Sequence, residues 1–189
     1  GNYGINSKDN ESNECYVKGF IAREFCPYPS NFISEMTLEE YLIQNKVVGI
    51  SDIDTRELTR IVRNEGAQRC IISSKQEDVD KLKHKLELSP EMKGNDLTLR
   101  ATCKEIYRIG SKKNKKNIFV YDFGCKKNIL NILHKELNIN LIVGPCDTDV
   151  DTVKSFNPDG ILLSNGPGDP SAATYAINNV KKLLGYKPI

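Results

Sequence analysis

The 189-residue sequence contains no apolar run long enough to cross a bilayer; its longest pure stretches, 141–143 and 161–163, are strand-sized. Gly1-Asn2-Tyr3-Gly4 has neither the basic region nor the apolar region of a secretory signal. The first residue is not Met, from which we expect a piece cut from a longer chain. Charge of one sign is also missing: 27 Lys and Arg stand against 25 Asp and Glu, a formal net charge of +2. That balance gives no electrostatic case for nucleic acid or an anionic membrane, and neither is expected as a partner. Only two histidines occur, His84 and His134, and the six cysteines (15, 26, 70, 103, 125 and 146) form no C-x-x-C pair. No zinc site can be assembled from them, and no metal ligand is assigned. The cysteine spacing has none of the character of a small secreted disulfide scaffold, so reduced thiols in the cytoplasm are expected. No internal repeat and no G-x-G-x-x-G are found, which leaves dinucleotide binding without support.

What is there is 39% hydrophobic, in organised clusters of Ile, Leu and Val sufficient for a packed core. Divided by about 150 residues per domain, the length gives roughly one and a quarter domains. The chain is read as a small mixed α/β domain over 1–102, a polar and basic linker over 103–117, and an orderly α/β pattern over 118–189. In the first part, Tyr16 to Phe25 reads as a strand broken by Pro27 and Pro29. Thr37-Leu38-Glu39-Glu40 fits a capping box that opens a helix through Gln44. Val47 to Ile50 reads as a strand. Asp54 caps a helix with Leu58, Ile61 and Val62 on one stripe, ended by Gly66 at positive φ. Ile71 and Ile72 read as another strand, and Gln76 to Leu86 as a third helix.

After the linker, strands at 118–121, 141–143 and 160–164 alternate with helices at 126–137, 149–156 and 171–184. Alternation at these lengths means right-handed βαβ crossovers and a parallel sheet. Pro188-Ile189 reads as the entry into a fourth strand. Ligands of such sheets bind beyond the carboxyl ends of the strands. Two loops lie there, Asp122-Phe123-Gly124 and Ser164-Asn165-Gly166-Pro167-Gly168-Asp169-Pro170. Gly166 and Gly168 lack a Cβ and are free to take positive φ, so successive N–H groups could face an anion or an acyl-transfer oxyanion. A tight strand-to-helix turn is the alternative reading of the same residues.

Ser164-Asn165-Gly166-Pro167-Gly168-Asp169-Pro170 after a buried strand resembles the class I glutamine amidotransferase domain. Gly1-Asn2-Tyr3-Gly4, Asp52-Ile53-Asp54-Thr55-Arg56, Leu58-Thr59-Arg60, Tyr121-Asp122-Phe123-Gly124 and Asn157-Pro158-Asp159-Gly160 resemble the small-subunit (glutaminase) family of carbamoyl phosphate synthetases. The likeness is poorest around 75–93 and 103–117. It implies a small mixed α/β N-terminal domain, lacking its start, followed by the first βαβαβα half of an open parallel-sheet, flavodoxin-like glutaminase domain. It also implies glutamine hydrolysis, with ammonia passed to a synthetase, as a large subunit or a fused domain, that makes carbamoyl phosphate from bicarbonate and ATP for pyrimidine and arginine synthesis. ATP and Mg²⁺ are expected on that partner and no cofactor in this chain. By the resemblance, Gly166 offers an oxyanion-hole N–H and Gly168 meets the α-amino acid group of glutamine.

The family's nucleophilic Cys lies on a turn shortly after the equivalent of Pro188-Ile189, with His and Glu further on; a glutamine-binding serine precedes the equivalent of Gly1. None is within these residues, so no catalytic residue is assigned and the 189-residue chain alone is expected to be inactive. Two alternatives remain: a non-catalytic docking module on the same fold, and the glutaminase domain of another amidotransferase. Cys125, at a helix start, lacks a recognisable histidine partner. Arg56, Arg60 and Arg63 read as a solvated or salt-bridged face, or an anion cradle. Asp122 is expected to cap the following helix or pin its loop.

Overall fold

The computed structural model describes residues 4–75, 78–111 and 113–189. Gly1 to Tyr3 of the opening motif, Gln76 and Glu77 of the third expected helix and Lys112 of the expected linker lie outside them. The chain forms two compact units, Gly1–Met92 and Lys93–Ile189, so residues 93–102 belong with the second unit and not with the first. Among the described residues no helix is long and apolar enough to cross a membrane.

In the first unit, β1 (Gly19–Ile21) and β2 (Val48–Ile50) pair in parallel, Phe20 opposite Gly49. The helix between them, α1 (Leu38–Gln44), starts at the expected capping box: Thr37 Oγ1 accepts the Glu40 N–H at 3.2 Å, and Glu40 Oε2 accepts the Thr37 N–H at 2.7 Å. Helix α2 (Thr55–Glu65) is capped by Asp54, which accepts the Glu57 N–H, and it ends at Gly66 with φ 84°. Helix α3 (Val79–Glu87) follows, and the Arg69 guanidinium donates to the carbonyls of its last residue, Glu87, and of Ser89 beyond it. The strand expected over 16–25 contracts to three residues. Ile71 and Ile72 form no strand; Ile72 instead fills the space over Gly19, where a Cβ would come within 2.7 Å of its Cδ1.

The second unit opens with α4 (Thr98–Ala101) and β3 (Tyr107–Ile109), so the expected linker carries a strand. Then come β4 (Lys116–Asp122), α5 (Lys127–Asn131) running into a π-helical turn (Ile132–Glu136), β5 (Ile139–Pro145), α6 (Val150–Ser155) and β6 (Gly160–Leu163). A 3₁₀ turn (Pro170–Ala172) precedes α7 (Thr174–Leu183), where one continuous helix was expected. The sheet order is β3-β5-β4-β6, with β4 parallel to both neighbours and β3 antiparallel on β5.

Alternate residues of β4 point to opposite faces, and both faces are buried. Phe119 and Tyr121 pack with Ile142, Ile161, Val153 of α6 and Leu183 of α7; Val120 packs with Leu141, Val143 and Leu130 of α5. Helices therefore cover both sides of the sheet, the expected α/β arrangement. Asp159 seats the start of β6 on β4: its N–H donates to Asn117 O at 2.7 Å, and its carboxylate accepts the Asn117 N–H at 2.8 Å. On the other side of β6, Ile161 N–H donates to Pro188 O at 2.8 Å, so the expected strand entry lies alongside.

Candidate functional site

Tyr121 of β4 stands opposite Leu163 of β6, so the chain leaves both strands side by side and the loops 122–124 and 164–170 meet. Asp122 organises the first loop. It is 8% exposed, and its Oδ1 accepts the N–H groups of Gly124 and Cys125 at 2.9 and 2.7 Å while Oδ2 accepts that of Cys103 at 2.8 Å. The second loop is tied to the first through Ser164, whose Oγ accepts the Phe123 N–H at 2.9 Å and donates to Asn165 O. The Asn165 amide reaches Gly124 O at 3.4 Å.

Both glycines of the second loop are required by close packing. A Cβ at Gly166 would lie 2.4 Å from Phe123 O, a backbone atom that cannot swing aside. A Cβ at Gly168 would lie 2.8 Å from Asn95 O and 3.0 Å from Leu97 N, and Gly168 has φ +88°. Gly166 does not use positive φ, so its lack of a side chain serves approach alone. Among the described residues neither the Gly166 nor the Gly168 N–H has a hydrogen-bond partner. Two unengaged donors on a packed, proline-flanked loop can receive an oxyanion or a carboxylate.

Past the glycines, Asp169 Oδ2 accepts the Gly94 N–H at 2.8 Å and Oδ1 accepts from the Ser171 N–H and hydroxyl. The Gly94 N–H first, then Ser171, holds the Asp169 carboxyl below its ordinary value. Beside the loop is a cavity of about 390 Å³ lined mainly by apolar side chains, among them Leu163, Pro167, Ala176, Ile177 and Val180. Its other lining residues, Thr98, Ser164 and Lys181 among them, include no carboxylate to hold an amino group. The loop amides, and not this cavity, have the chemistry for a polar ligand.

Residues 1–72 match the family model described as "Carbamoyl-phosphate synthase small chain, CPSase domain", and residues 119–189 match "Glutamine amidotransferase class-I". The curated "Carbamoyl phosphate synthase small chain" of Syntrophotalea carbinolica is 44% identical over 204 residues, which take in 100% of this chain and 54% of that relative. That of Clostridium perfringens is 44% identical over 189 residues, covering 100% of this chain and 52% of its own length. The chain belongs to the carbamoyl phosphate synthase small chain family. It spans about half the length of the curated relatives it matches.

Within this small-chain sequence the remaining expected features fall out of the site. The Cys125 N–H is bonded to Asp122 and its Sγ lies 3.5 Å from Lys126 O. His134 Nδ1 lies 3.0 Å from Ile139 O, and His84 lies on the exposed surface 4.0 Å from Glu87. Arg56, Arg60 and Arg63 are exposed on α2, with Arg60 3.5 Å from Glu57, which favours the solvated, salt-bridged face. Asp122 pins the loop, one of its two expected roles. Sequence reasoning missed the segment 93–98, which packs under Gly168 and reaches α7 through Thr98. The local signal was Asp96-Leu97-Thr98, where Asp96 Oδ1 accepts the Thr98 N–H at 2.9 Å in an Asx turn.

Proposed function

We propose that this chain is part of the glutaminase component of a carbamoyl phosphate synthase and that its glycine loop binds the glutamine undergoing hydrolysis. The observation that carries the reading is the pair of unengaged N–H groups at Gly166 and Gly168, on a closely packed loop at the carboxyl end of β6. As a nucleophile attacks the glutamine side-chain amide, its oxygen gains negative charge; an N–H already aimed there needs no reorganisation. Gly166 supplies that donor and Gly168 meets the α-amino acid group. The nucleophile and its acid–base partners are not among these 189 residues. Ammonia released in the full protein goes to a synthetase, a separate large subunit or a fused domain, which carries ATP and Mg²⁺ and uses bicarbonate. The scattered cysteine spacing, unlike that of a small secreted disulfide scaffold, supports a cytoplasmic setting.

The test pairs the 189-residue chain with the full-length protein and its synthetase. The full protein should release ammonia from glutamine and support carbamoyl phosphate synthesis; the 189-residue chain should release none. Turnover by the short chain that Cys125→Ser abolishes would overturn the site assignment. A full-length protein that binds its synthetase and never hydrolyses glutamine would make the chain a docking module.

A further inference from the structure

The glycine loop is held from outside its own strand-and-helix unit by residues 93–98, which lie in the stretch 73–118 between the two family matches. Three contacts hold it. Asp169 Oδ2 accepts the Gly94 N–H at 2.8 Å, and the Asp169 N–H donates to Asn95 O at 3.3 Å. Gly168 comes so near that a Cβ would lie 2.8 Å from Asn95 O. Asp169 Oδ1 meanwhile accepts the Ser171 N–H and hydroxyl at 2.9 and 2.8 Å, fixing the turn that leads into α7. One carboxylate thus joins the segment 93–98, the glycine loop and the start of α7.

The segment has a second attachment, which does not involve Asp169. The Thr98 and Tyr175 hydroxyls lie 2.7 Å apart, and Tyr175 Oη is 3.3 Å from the buried Cys146 Sγ. Removing the carboxylate therefore leaves 93–98 attached to α7, while the glycine loop keeps only the Asp169 N–H bond to Asn95 O and the packing at Gly168. Glycine has the least restricted backbone, so the aim of Gly166 and Gly168 has to be imposed by their surroundings. Hydrogen bonds to an ionised carboxylate are the stronger kind and suit that task.

We propose that Asp169 is a positioning residue for glutamine binding: its carboxylate fixes the glycine loop against residues 93–98, so that the Gly166 and Gly168 N–H groups keep one direction. The proposal rests on the reading that this loop meets glutamine. Asp169 touches no substrate; it acts through the backbone on either side of it. Replacement by Asn sets an NH₂ against either the Gly94 N–H or the Ser171 N–H, whichever way the amide turns.

The experiment uses the full-length protein with its synthetase and compares wild type, Asp169→Asn and Ser171→Ala. Carbamoyl phosphate formation is followed with glutamine and, separately, with ammonia, and amide exchange is followed at Gly94. Asp169→Asn should raise the glutamine KM about tenfold, the size expected for one charge-assisted bond, and lower kcat less. It should leave the ammonia-driven rate unchanged and speed exchange at Gly94. Ser171→Ala, which spares the Gly94 bond, should raise KM by less. An unchanged KM, unchanged exchange at Gly94, or glutamine and ammonia rates falling together would each overturn the latch. A wild-type protein that uses ammonia and not glutamine would overturn the proposed function and the latch with it; normal wild-type use of glutamine with an indifferent Asp169→Asn overturns the latch alone.

Discussion

Asp122 is the residue through which the site is most exposed to a single change. Its carboxylate takes three backbone N–H groups and has no lysine or arginine beside it in an ion pair among the described residues. In Asp122→Asn one oxygen keeps Gly124 and Cys125, and the NH₂ then faces the Cys103 N–H. Two donors confront each other in a buried place, at a cost of about 1–3 kcal/mol. Urea unfolding followed by circular dichroism should show that loss, and no tryptophan confuses the signal. The Cys103 thiol gives a second reading. Burial first, and the Asp122 charge next, push it up to about 12. Removing the charge lowers that value, so more thiolate is present at pH 8 and the Cys103 thiol should react faster with a disulfide reagent. A thiol reacting at the wild-type rate would mean that Asp122 does not act on Cys103 in solution.

At the scale of elements, what the sequence made legible was what is decided locally. The caps at Thr37 and Asp54 each accept an N–H three residues on, and that interval is visible in the sequence. Strand β3 was not legible, because Tyr107-Arg108-Ile109 is three residues long, mostly exposed, and defined by a partner more than thirty residues away in β5. The π-helical turn at 132–136 was hidden for a related reason: the apolar spacing of Ile129, Leu130 and Leu133 suits an α-helix equally well. The loop 164–170 was legible as a site; the need for glycine at 166 and 168 was not, since Phe123 and residues 95–97 supply it from elsewhere.

The cap of α1 offers a test at this scale. Thr37→Ala deprives the Glu40 N–H of its acceptor and should cost about 1 kcal/mol. The Thr37 N–H, then its hydroxyl, holds the Glu40 carboxyl below its ordinary 4.5 in the folded chain. A depressed folded value means that the contribution of Glu40 is complete above the unfolded value and lost as pH falls through the folded one. Acid titration below about pH 4.5 should therefore loosen α1 in the wild type, as increasing amide exchange at Glu40 and Tyr41. Thr37→Ala should show much of that loosening at neutral pH already.

For the whole molecule, the two units differ in how much they bury. Among the described residues the buried hydrophobic side chains of the first unit are Leu42 and Val47, while Tyr28 and Phe32 are 84% and 99% exposed. The second unit buries residues from every strand of the parallel sheet and from α5, α6 and α7. Local opening is cheapest where few apolar groups are buried and most backbone hydrogen bonds face solvent. Hydrogen exchange on the intact chain should accordingly divide near Met92. The amides of β1, α1 and β2 should exchange through low-energy openings, while those of Phe119–Tyr121 and Leu141–Val143 exchange last, at the free energy of global unfolding. The division reaches the site. The glycine loop and the segment 93–98 lie wholly within the second unit, so the aim of the Gly166 and Gly168 amides should survive conditions that open the first. Denaturant added to the point where α1 exchanges freely should leave the Gly94 amide protected by Asp169. Loss of both at the same concentration would make the chain one cooperative body.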